Sequence, residues 1–149
     1  MKNLIKILTF SVFLTGFMGF AQKATVYEPA KSINKEYKAL YVINEGDDQK
    51  IRVIIRNINN AMEDPRLKGK LKVELLAFGG GVEMFRKKNP YGELLTGLQD
   101  KGVVMVQCEN TLREKKIEKS ELFEFVNYTP SGNGEMILRQ DEGWAIVKP

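Results

Sequence analysis

The chain has 149 residues, 23 basic against 19 acidic side chains, no histidine and one cysteine. The missing imidazoles exclude a Ser-His-Asp or Cys-His catalytic arrangement, and any zinc or copper site built from histidines and thiolates. A formal charge of +4 is too slight to mark a nucleic-acid partner, and the length suits one ordinary domain.

The chain opens like an export leader. Lys2 and Lys6 precede an apolar stretch from Ile7 to Phe20, and Gly19-Phe20-Ala21 places small residues where a signal peptidase reads. Residues 1–21 are therefore expected to be a signal peptide, and the protein to be exported, periplasmic or secreted. The stretch is shorter than the ~20 residues of a usual span, so no stable membrane insertion is expected after cleavage. Residues 22–37 mix small, polar and charged side chains around Pro29 and read as an irregular lead-in.

From residue 38 onwards strand and helix patterns alternate. Residues 38–44 (KALYVIN) make a short apolar strand, and Asp47-Asp48 then cap a helix. Ile51, Ile54, Ile55, Ile58, Ala61 and Met62 recur at helical spacing before Pro65 ends it. Residues 71–78 form a second strand running into Gly79-Gly80-Gly81, with one helical turn expected over 82–86. Tyr91, Leu94, Leu95 and Leu98 give a helical stripe closed by Gly102 in the left-handed position. Residues 103–107 form a third strand, and Thr111-Leu-Arg-Glu114 reads as a capping box opening a short helix, with Asn110 competing for the cap. A further helical piece is expected around Ile117, Leu122 and Phe123, and a fourth strand over 125–128. The turn at Thr129-Pro130-Ser131-Gly132 leads into a helix carrying Met136 and Ile137, which Gly143 ends before a fifth strand over 144–147. This alternation, with mostly apolar strands, predicts a single three-layer α/β domain over residues 38–149: a mostly parallel five-stranded sheet with helices on both faces.

In such a sheet ligands gather at the loops after the strands' carboxyl ends. Cys108 stands at one of these, between an apolar strand and a helix start. Helix amino termini favour thiolate over thiol, and thiolate is the nucleophile; a buried cysteine can equally be a small hydrophobe. The amides of Gly79, Gly80 and Gly81 could cradle an anion, although the run lacks a dinucleotide or phosphate-loop spacing and reads equally as a structural turn. Arg113, one turn beyond Cys108, could pair with an anionic sulfur or lie solvated, and the Ser131 turn could share the pocket. Asp47 and Asp48 read as caps rather than cation ligands. Neither a metal nor a cofactor is expected.

The stretch Lys101-Gly102-Val103 through Cys108-Glu-Asn-Thr-Leu-Arg113 resembles the DsrE/DsrF-like family of small sulfur-relay proteins. The strand ending in Gly80-Gly81-Val82, the turn over 126–132 and the closing Gly143-Trp144-Ala145-Ile146-Val147-Lys148-Pro149 resemble it too, in order, over residues 38–149. The resemblance implies a compact α/β domain that assembles as a homotrimer or homohexamer. In the sulfur-transferring members, the cysteine at the Cys108 position accepts sulfur as a persulfide and hands it on. Those members work in the cytoplasm beside sulfurtransferase partners, a departure from the exported character read here.

Two readings follow. In one, Cys108 is a persulfide carrier exchanging sulfur with a thiol or sulfane-sulfur donor or acceptor protein, with the glycine loop and Arg113 stabilising the charge. In the other, the protein is a non-catalytic homo-oligomer that binds a small ligand or partner, and Cys108 is packing.

Overall fold

The structure is a computed structural model that describes residues 26–149. The expected leader, residues 1–21, lies outside the described residues. The chain divides into a first unit, residues 1–30, and a second, residues 31–149. Residues 26–30 of the first unit carry no helix or strand. Everything below concerns the second.

Five strands form one all-parallel sheet: β1 (Tyr37–Ile43), β2 (Leu71–Ala77), β3 (Val104–Cys108), β4 (Asn127–Thr129) and β5 (Ala145–Val147), in the order β4-β3-β2-β1-β5. Four α-helices connect them: α1 (Asp48–Glu63), α2 (Gly92–Gln99), α3 (Glu109–Lys115) and α4 (Gly132–Asp141). The expected α/β architecture is the one observed.

Alternation along the strands assigns the faces. Tyr41 and Ile43 of β1, Val73, Leu75 and Ala77 of β2 and Met105 of β3 point into the larger core. There they meet Ile51, Ile54, Ile55 and Ile58 of α1, Leu95 and Leu98 of α2, and Leu112 of α3. Each of the four isoleucines is almost fully buried, worth about 1.5–3 kcal/mol apiece. Leu40, Val42, Leu76 and Val106 face the other way, into a smaller cluster closed by Phe78, Met136 and Trp144. That second face is covered by α4 alone, and Ile137 and Leu138 on α4 remain 68% and 63% exposed.

Asp47 caps α1, its side chain accepting from the Lys50 amide at 3.0 Å. Gly102 and Gly143 end their helices as expected, at φ +85° and +81°, and Gly102 takes the left-handed exit expected of it.

Four local expectations are corrected. The Thr111–Glu114 capping box does not form: β3 runs through Cys108, α3 starts at Glu109, and Cys108 is itself the cap residue without a side-chain cap bond. Thr111 turns inward instead, for the reason given below. The helical piece around 117–123 is only a 3₁₀ turn at Lys119–Glu121, closed by a reciprocal cap between Glu118 and Glu121. Leu122 there bridges back to Arg86, and Phe123 N donates to Phe85 O at 3.1 Å, which straightens the chain. Consequently β4 starts later than expected, at Asn127, because Val126 is drawn into the main core and its amide closes a turn on Phe123 O. Trp144 is not in β5; its amide bonds Arg139 O as part of the exit from α4.

Candidate functional site

Parallel strands place the ends of β1, β2 and β3, together with the start of α4, along one edge of the sheet. Cys108, the last residue of β3, pairs in register with Thr129 of β4 and is 4% exposed. Gln107 Nε2 donates to Cys108 O at 3.0 Å and fixes this strand end, while Gln107 Oε1 is buried without a partner.

A cavity of about 190 Å³ opens beside the thiol. Cys108, Asn110, Thr111, Gly79 and Ser131 line it, so five of the residues singled out from the sequence come together. Phe78, Glu114, Gly132 and Asn133 complete the lining. Gly132 belongs to the Thr129–Gly132 turn that the sequence reading placed at this edge, whereas Phe78, Glu114 and Asn133 were not singled out as site residues. Phe78 directly ends the second strand, so the edge argument could have found it. Glu114 was read only as a capping partner, and nothing in the sequence marked Asn133.

The side chains have definite employments. Thr111 Oγ1 accepts from Gly79 N at 2.9 Å, which is why Thr111 is buried rather than capping. Ser131 is the cap of α4, its Oγ accepting from Gly134 N at 3.3 Å. Asn110 Oδ1 accepts from Arg113 Nη2, so this amide is turned toward the arginine. Arg113 itself does not line the Cys108 cavity; it borders a separate hollow with Glu109, Lys116 and Lys119. Beside it, a hydrogen bond from Lys119 holds the Glu109 carboxyl below its ordinary range.

The glycine run is not an anion cradle. Gly79 N is held by Thr111, Gly80 N donates to Asn44 O at 2.8 Å, and Gly81 N donates to Phe78 O at 2.9 Å. The run opens a 3₁₀ helix over Gly79–Phe85, with Gly79 at φ +51°. Close approach explains the other two glycines: a Cβ on Gly80 would lie 2.8 Å from Gly46 N, and one on Gly81 would lie 2.4 Å from Ile43 O. Gly80 and Gly81 do not line this cavity. Their work is to press the β2 exit against the β1 exit.

Among the described residues, no three His, Cys, Asp or Glu side chains gather as metal ligands would. No helix there is long and apolar enough to cross a membrane.

The family model of the DsrE/DsrF-like family matches residues 37–149. The chain belongs to the DsrE/DsrF-like family. This DsrE-like domain also resembles the solved structure of a protein of unknown function, MTH1491, from Methanobacterium thermoautotrophicum. The two share 32% identity at a TM-score of 0.72, over 76% of this chain and 100% of that one. No curated protein matches the chain. Family membership suggests a function of the sulfur-relay type, and Cys108 is the one thiol available for it.

Proposed function

We propose that this DsrE-like protein is an exported persulfide carrier and that Cys108 is the carrying residue. The observation that supports this most is the position of the sole thiol: last in β3, first before α3, and on the wall of the edge cavity. A cap position is where a side-chain acceptor reaches the amides of the first helical turn, and Cys108 leaves those amides without a side-chain cap. An anionic sulfur carried there is stabilised by the same groups. In the loading step Cys108 Sγ, as thiolate, attacks the outer sulfur of a donor persulfide. The new S–S bond forms as the donor's S–S bond breaks, and the donor leaves as a thiolate. An acceptor thiolate then attacks the outer sulfur and Cys108 leaves as thiolate, with no net oxidation. The cavity, at about 190 Å³, suits a sulfane sulfur and a narrow donor tip.

The reading includes self-association. Its support is the apolar side chains left exposed on α4, Ile137 and Leu138, and on the sheet face that α4 covers, Val104 and Ile146, which lie in one register row with Glu74 and Leu40 between them. Export rests on the basic and apolar leader of the sequence.

The burial of Cys108 favours the second reading, a non-catalytic binding protein in which the thiol is packing. Intact mass separates the two. After incubation with a low-molecular-weight persulfide, the carrier gains about 32 mass units, reversed by reductant and absent from Cys108→Ser. No gain, with Cys108 also inert to alkylation at neutral pH, gives the binding-protein reading the lead.

A further inference from the structure

The face of the sheet that holds Cys108 is the thinly covered one. Alternation along β3 puts Cys108 on the side of Val106, and its register partner Thr129 shares that side. The helix α4 covers this face, and Ser131, Gly132 and Asn133 at its start wall the Cys108 cavity. Beneath them Cys108 is 4% exposed. Sulfur exchange between thiols depends on access to the attacking atom, and a donor must also bring its own leaving thiolate. So small an exposure makes the cover over Cys108 the element that sets access.

That cover is weakly built. Whereas α1 buries four isoleucines, α4 buries only Gly132, and its Met136 is half-buried. Segments with few buried apolar contacts open at a lower free energy than the core. The first helical turn reads Gly132-Asn133-Gly134, three poor helix formers in a row. Gly132 has a packing reason, because a Cβ there would lie 3.1 Å from the Phe78 ring. Gly134 has none: an added Cβ would meet Ser131 at an ordinary 3.5 Å, and its φ is not left-handed. What holds the turn down is polar. Thr129 Oγ1 donates to Glu135 Oε2 at 2.7 Å, and Arg139 ties the same Glu135 to the buried Glu74 of β2. The Ser131 cap adds only a long bond from Gly134 N, at 3.3 Å.

We propose that the first turn of α4 is a lid over Cys108, which opens by fraying at Gly132-Asn133-Gly134 and closes on the latch between Thr129 and Glu135. Opening uncovers the thiol for a sulfur donor or acceptor, and closure shields a loaded sulfur from stray thiols. The lid's purpose rests on the carrier reading, while the opening itself is a property of the helix. Gly134, which packing does not require, lets the turn open without unfolding the domain.

Alkylation of Cys108 by iodoacetamide at neutral pH tests the lid, read by intact mass at one protein concentration and at rising urea below the unfolding transition. The rate should rise with urea less than half as steeply as global unfolding does, as local opening requires. Thr129→Val breaks the latch and should speed the reaction about fivefold. Gly134→Ala stiffens the turn and should slow it about fourfold. The control is Gly97→Ala, which gives α2 the same gain in helix propensity on the opposite face of the sheet and should leave the rate unchanged. Wild-type rates in both Thr129→Val and Gly134→Ala, a urea dependence as steep as that of global unfolding, or equal slowing by Gly97→Ala overturns the proposal. Persulfide loading, read separately by mass, keeps the two ideas apart: alkylation rates that follow the lid without any loading remove the carrier and retain the lid.

Discussion

Thr111 Oγ1 accepts a hydrogen bond from Gly79 N at 2.9 Å, joining α3 to the exit of β2 across 32 positions of chain. Both residues border the Cys108 cavity, so this bond sets its width. Thr111→Val keeps the shape but leaves the Gly79 amide unpaired, costing about 1–3 kcal/mol. Thr111→Ser restores the acceptor and most of the stability. Urea denaturation of the three proteins measures the difference. Equal midpoints for wild type and Thr111→Val would show that solvent already satisfies the amide.

The glycine run makes a sharper contrast. A Cβ on Gly81 meets Ile43 O at 2.4 Å, and backbone cannot swing away as a side chain can. Gly81→Ala should therefore destabilise at the upper end of the range for overpacking, about 3 kcal/mol. Gly97, in α2, has nothing within 4 Å of its Cβ position, so Gly97→Ala should stabilise by about 0.5–1 kcal/mol through helix propensity. Thermal unfolding of the two variants should move the midpoint in opposite directions. A shift of the same sign for both would refute the close-approach account.

Ile137 and Leu138 are two consecutive exposed apolar residues on the single helix covering the second sheet face. If copies of the chain meet there, Leu138→Asp places a charge in the contact and lowers the oligomer to monomer by light scattering at micromolar concentration. The variant's folded monomer should keep its helical circular dichroism, since Leu138 is largely exposed and belongs to neither buried cluster. An unchanged oligomer would move the interface elsewhere, and a wild-type monomer would remove it.

The sheet and its helices were legible because apolar spacing is a local signal: Ile51 to Ile58 could only be one face of a helix, and Gly102 and Gly143 only exits. Cys108 was legible as a strand-end residue for the same reason. What the sequence concealed were bonds between distant segments. Thr111 carries a local capping pattern with Glu114, yet its hydroxyl is claimed by Gly79. Three adjacent glycines look like an anion loop, yet their amides go to Thr111, Asn44 and Phe78. Arg113 is near Cys108 in sequence, but the helix carries it toward Asn110 and a different hollow. Polar side chains are cheap to redirect, and tertiary contacts decide where they go.

Glu74 is the most buried acid of the described residues, 1% exposed in the middle of β2. In register it lies between Leu40 and Val104, on the face that α4 covers. Arg139 of α4 reaches it at 2.8 Å, while also touching Glu135 and Glu142 and lying over the Trp144 ring. Burial pushes the Glu74 carboxyl above its ordinary range, and Arg139 opposes that rise. A carboxyl raised in the folded state contributes most below its unfolded pKa, and that contribution fades as pH rises through the folded value. Removing the cation by Arg139→Met raises Glu74 further and leaves an uncompensated charge at neutral pH. The loss should be about 3 kcal/mol at pH 8 and clearly smaller at pH 5, because a raised carboxyl is more readily neutralised as pH falls. The double variant Glu74→Leu with Arg139→Met should recover most of the stability at both pH values, because it removes the charge along with its partner. Denaturant unfolding at pH 5 and pH 8 reads all three proteins. A loss in Arg139→Met that is the same at both would place the arginine's contribution in its stacking on Trp144 and not in the buried pair.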